Sequence, residues 1–210
     1  GDAMKNNVSQ SRTLFARWSV VILLLGTVFL SAGCEAFFTF NVFSGLQRDP
    51  ASLPPDQQLR YAEEALASGD TAAMQAAYPL IAAQADADPD DPELQLLAAD
   101  LAIGASGVND LIADFDPDTA TAADLNEALA GVDTTTLGEV EGYVQAAEAA
   151  GGTPSDAQYA NAAASIVVQE ADAAGGFENI DWDPVTNPDI QDALTYADNA
   201  GIDIQAMFDV

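Results

Sequence analysis

From Asp56 onward, apolar residues recur at the spacing of a helix face, not of a strand. Leu59, Ala62, Ala65 and Leu66 share one stripe, and Met74, Ala77, Tyr78 and Ile81 a second. Leu94, Leu97, Ala98 and Leu101 mark a third helix, Leu137, Val140, Val144 and Ala147 a fourth, and Tyr159, Ala163, Ile166 and Val167 a fifth. No stretch sustains the apolar-polar alternation of a half-buried strand. The pattern predicts an all-α chain.

Punctuation supports the same reading. Asp91-Pro92-Glu93, Thr153-Pro154 and Asn187-Pro188-Asp189 each place a capping side chain before a proline suited to a helix's first position. Gly69, Gly107, Gly151-Gly152, Gly175-Gly176 and Gly201 stand where helices should stop. Pro79 falls inside the second helix, where it should kink the helix or break it after two turns.

Short turns between amphipathic helices imply antiparallel pairs, each exposing an apolar face that a neighbouring pair covers. The stretch Ala65, Leu66, Gly69-Asp70, Tyr78 and Pro89 resembles a degenerate tetratricopeptide repeat. The turn pair and the later aromatic are present; the early tryptophan is missing and Met74 takes the small-residue slot. The resemblance implies an α-α superhelix over 56–176, closed by a helical cap over 177–210. A second resemblance covers roughly 56–115. Gly-Asp, the interrupted Tyr78-Pro79-Leu80-Ile81 and Asp88-Pro89-Asp90-Asp91-Pro92 are similar to the T-component lipoproteins of TRAP transporters. That family implies a periplasmic accessory protein engaging a solute-binding protein.

The N-terminal apolar block is of another kind. Lys5, Arg12 and Arg17 precede an uncharged run from Trp18 to Leu30, followed by Ser31-Ala32-Gly33-Cys34 with the only cysteine. This is the basic, apolar and small-residue order of a secretory signal, with a thiol placed to accept a lipid. The segment resembles bacterial lipoprotein signal peptides, with Ser31 where leucine is commonest. The resemblance implies a signal over 1–33, with Met4 as the start and residues 1–3 a remnant. Cys34 would be acylated with diacylglycerol of the palmitate type, and 34–55 would form a tether. The alternative is an uncleaved anchor prolonged by Phe37, Phe38, Phe40, Val42 and Phe43. Glu35 interrupts that run, and a spanning helix wants about 20 apolar residues. Either way, residues after 34 face outward.

Charge narrows the function. The chain has 34 acidic and five basic residues, no histidine and a formal net charge of −29. No basic residue follows Arg60, which excludes nucleic-acid binding and charge-driven attachment to anionic lipid. Acids spread along the whole chain, with 49% hydrophobic content, indicate a global solvation adaptation to concentrated salt, as in halophiles.

No histidine, one cysteine and no lysine after Lys5 remove the usual zinc sites, serine and cysteine triads and Schiff-base chemistry. Neither enzyme activity nor a cofactor is expected. Asp86, Asp88, Asp90, Asp91 and Glu93 crowd one loop, and Asp114, Asp116 and Asp118 another. Counted from Asp114, an EF-hand would need glycine at Thr119 and glutamate at Leu125, so these acids read as solvated turns with at most weak cation binding. Glu63, Glu64, Glu139 and Glu141 read as exposed helical charge; Phe177 and Trp182 read as part of the C-terminal cap.

The expectation is a lipid-anchored envelope scaffold that binds a protein partner along one face, near Arg60, Glu64, Gln95 and Glu141. The alternative is a transporter accessory protein binding a solute or cation. An aromatic pocket near Tyr61, Tyr78 and Tyr143 would favour that second reading.

Overall fold

Most helices among the described residues start at a side chain that satisfies orphan N–H groups. Asp70 accepts from Ala72 and Ala73, Asp91 from Glu93 and Leu94, Asp133 from Thr135 and Thr136, and Asn187 from Asp189 and Ile190. Such caps contribute about 1 kcal/mol each. The computed structural model describes residues 49–109 and 122–202. Among these residues there are no strands. The helices are α1 (Pro55–Ser68), α2 (Thr71–Ala87), α3 (Pro92–Ala105), α4 (Ala122–Leu129), α5 (Thr134–Ala149), α6 (Asp156–Ala174) and α7 (Pro188–Asn199). Short 3-10 turns lie at Pro50–Ser52 and Phe177–Asn179.

One expectation about punctuation is narrowed and one is corrected. Pro79 does not break its helix: α2 runs unbroken from Thr71 to Ala87. The Thr153-Pro154 pair does not open α6. Ser155 is the cap, because Gln158 stands three residues on and closes a capping box with it. Gly69 and Gly175, at φ 66° and 75°, end α1 and α6 in the left-handed conformation that glycine adopts without strain.

The helices pack in chain order: α1 on α2, α2 on α3, α3 on α5, α5 on α6 and α6 on α7. Contacts also run between α1 and α3 and between α3 and α6. The core has two parts. One gathers Ala62, Ala65, Met74, Ala77, Ile81, Ala98 and Leu101. The other gathers Leu125, Leu137, Val140, Val144, Ile166, Phe177 and Ile190. The short helix α4 packs against the Phe177–Asn179 turn, where Asn126 Oδ1 accepts the Phe177 N–H at 3.1 Å.

Candidate functional site

On α1, Gln57, Arg60, Tyr61 and Glu64 recur at helical spacing on the stripe beside the buried Ala62 and Ala65. Together with Leu53 they line an open pocket of about 350 Å³. Arg60 is the only basic residue among the described ones. Its Nη2 lies 3.3 Å from Asp56 Oδ2 in an exposed pair, which contributes little to stability and leaves the guanidinium free to turn to a ligand. Burial, then the Asp70 carboxylate, raises the Tyr61 phenol above its ordinary range.

Tyr78 on α2 and Tyr143 on α5 meet edge to face, 6.5 Å between centroids. Burial and the hydrogen bond to Tyr143 raise the Tyr78 phenol, so both hydroxyls stay protonated at neutral pH. These rings face each other, and neither lines the Tyr61 pocket. The three tyrosines therefore do not form one aromatic pocket.

At the far end, Tyr159 and Tyr196 stack at 6.2 Å, and the Tyr159 hydroxyl donates to Glu148 Oε1 at 2.7 Å. Half-buried Glu141 on α5 is raised above the usual carboxylate range by burial, then by Asp192 and Asp189 on α7. This end of the stack gathers negative charge from two helices. A partner's basic group would relieve it.

Gln95 is corrected. It is buried, and its Nε2 donates to the Ala85 carbonyl at 2.8 Å, so it ties α3 to α2 and offers nothing to a partner. Its amide satisfies a backbone acceptor near the end of α2, a role that helical periodicity alone does not disclose. Glu63, Glu64 and Glu139 are exposed as expected, whereas Glu141 is half-buried. In the α2–α3 turn, Asp91 accepts two backbone N–H groups as the α3 cap. Among the described residues, no three acidic side chains are placed to hold a metal ion. Phe177 is buried and Trp182 packs against the same core. Cys34, the aromatic run from Phe37 to Phe43, and Asp114, Asp116 and Asp118 lie outside the described residues.

Asp100 is the residue that sequence reasoning passed over. It is the one charge in Leu96-Leu97-Ala98-Ala99-Asp100-Leu101-Ala102-Ile103, and that isolation was the available signal. Desolvation pushes its carboxyl up to about 6, partly opposed by a hydrogen bond from Gln158.

No helix among the described residues is long and apolar enough to cross a membrane. No protein-family model matches the chain, and comparison with curated proteins and with solved structures finds no match.

Proposed function

We propose that this chain is a lipid-anchored scaffold of the cell envelope that binds a protein partner along a tetratricopeptide-like helix stack. Taking α1 with α2, α3 with α5 and α6 with α7 as pairs, the first helix of each pair touches the first helix of the next. That serial contact is the observation that carries the reading, because stacked pairs of this kind expose a long face for an extended partner. Carboxylates dominate the exposed surface, so the partner's contacting patch is basic. The anchor is Cys34, by its resemblance to a lipoprotein signal.

The second reading, a transporter accessory protein of the T-component kind, draws on the Arg60 pocket. A guanidinium and the Glu64 carboxylate one turn apart suit a small solute carrying both charges.

Photo-cross-linkers placed at Glu64 and Glu141 in the native envelope test both readings. A scaffold yields one dominant partner, and Glu64→Lys with Glu141→Lys slows association and weakens its salt dependence without loss of helix. Cys34→Ala leaves an uncleaved precursor that lacks lipid mass. Binding of a small solute or divalent cation at micromolar strength with no captured partner favours the accessory reading. Cleavage elsewhere, leaving a free Cys34 in a soluble product, refutes the anchor.

A further inference from the structure

We infer that Asp100 and Gln158 form a proton-linked tie between α3 and α6, which holds those helices together more firmly in mildly acidic surroundings than in neutral ones. The geometry begins at the start of α6. Gln158 Oε1 accepts from the Ser155 N–H at 2.9 Å and from its hydroxyl at 3.1 Å, while the Gln158 N–H donates back to Ser155 Oγ at 3.3 Å. The capping box thus fixes which way the amide faces. Turning it over would set the Gln158 NH2 against the Ser155 N–H, donor against donor. Its Nε2 is therefore held toward α3, where it donates to Asp100 Oδ2 at 2.9 Å.

One neutral N–H does not replace the water that a carboxylate loses on burial. No cation is at hand among the described residues either: Arg60, their only basic side chain, lies exposed on α1 beside Asp56. The helices packed around α3 carry Glu64 on α1, Asp86 on α2, Glu139, Glu141 and Glu148 on α5, and Asp156 on α6. None of these acts on Asp100; burial and Gln158 do. One turn along α6 from Gln158, on the same face, Asn161 has a buried Oδ1 with no hydrogen-bond partner. A proton on Asp100 removes the half-buried charge, keeps an oxygen for Gln158 and supplies a donor.

The sign follows from the two states of the chain. Folded Asp100 titrates near 6 and an exposed aspartate near 3.8, so the folded state binds the proton more tightly. The penalty for this half-buried charge is complete above pH 6 and fades as pH falls toward 3.8. A protein exposed to its surroundings would tighten this contact on acidification.

Carboxyl-resolved NMR titration of the full chain in 1 M salt tests the tie directly, with general carboxylate repulsion screened. Asp100 should titrate near pH 6, well above the ordinary aspartate value of 3.8. Amide exchange in the first turns of α6 should slow several-fold between pH 7.5 and 5, after correction for intrinsic rates. In Asp100→Asn, which stays neutral and can still accept from Gln158, that change should vanish, with slow exchange at both pH values. Gln158→Ala should raise the Asp100 midpoint, since the bond it removes favours the charged form. An Asp100 midpoint below about 4.5 overturns the inference. So does a pH response in Asp100→Asn equal to that of the parent chain.

Discussion

Around α1, α2 and the facing side of α3, the buried side chains are mostly alanine, with Met74, Ile81 and Leu101 as the bulky members. Around α5, α6 and α7 they include Leu137, Val140, Val144, Ile166, Val168, Phe177, Ile190 and Tyr196. Helix α3 is the wall between them: Ala98, Leu101 and Ala105 belong to the first core, and Ala99, Ala102 and Ile103 to the second. The polar ties differ in kind as well. Among the alanines they are neutral amides: Gln84 to Gln58, Gln75 to the Ala105 carbonyl and Gln95 to the Ala85 carbonyl. In the second region they end on carboxylates: Thr134 to Asp172, Tyr159 to Glu148 and Asn187 to Glu170. Small side chains let helix backbones approach, and glutamine bridges them without adding charge. The bulky region places its acids at the edges, where water still reaches them.

Deleting a large side chain from each core gives the largest test of that contrast. Leu101 and Leu137 are both fully buried. Leu101→Ala should cost about 4 kcal/mol, because its alanine neighbours cannot fill the gap. Leu137→Ala should cost about 3 kcal/mol, since branched neighbours can lean inward. Urea unfolding measures both, and a reversed order would remove the distinction between the cores.

A second test bears on how closely α2 and α3 approach. A Cβ built on Gly104 would collide with Met74 Sδ. Gly104→Ala should therefore destabilise by about 1–2 kcal/mol through overpacking, despite alanine's better helix propensity. In a Met74→Ala background the same change should become neutral or stabilising. A double-mutant coupling near zero would show that α2 and α3 have room to spare.

Much of the fold was legible because caps and stripes are local. Leu137, Val140, Val144 and Ala147 were read as one face and all four are buried; Asp91 and Asn187 cap the helices they were expected to open. What escaped depends on neighbours distant in sequence. Helices α3 and α6 are packed on several sides, so Ala99, Ala102, Ala162 and Val168 are buried beyond the single stripe that periodicity marks. Helix α4 offered only Leu125 and Leu129, one turn apart and too short a signal to stand out. Of the surface named for a partner, Arg60 and Glu64 share a pocket, Glu141 is half-buried and Gln95 is wholly internal. A glutamine that reaches a backbone carbonyl ten residues away reads in sequence like any solvent-facing one.

The smallest effect separates two carboxylates held in opposite surroundings. Asp133 is exposed, accepts the Thr135 and Thr136 N–H groups at 3.1 Å each and takes the Thr136 hydroxyl at 2.7 Å. Those bonds, the hydroxyl's first, hold its carboxyl below the usual aspartate value of 3.8. The folded state thus prefers Asp133 charged, the reverse of Asp100. Its contribution is complete above about pH 4 and is lost as pH falls through the lowered folded value. Asp133→Ala should cost about 1 kcal/mol at pH 7, whereas Asp133→Asn, which still caps, should cost a few tenths. The deficit of the alanine variant should shrink as pH falls below the ordinary aspartate value of 3.8, while replacing Asp100 by asparagine should stabilise most at pH 7 and least near pH 4. Parallel pH–stability curves for the two substitutions would mean that burial does not separate these carboxylates, and the contrast between a packed interior and a solvated edge would fail at its most local point.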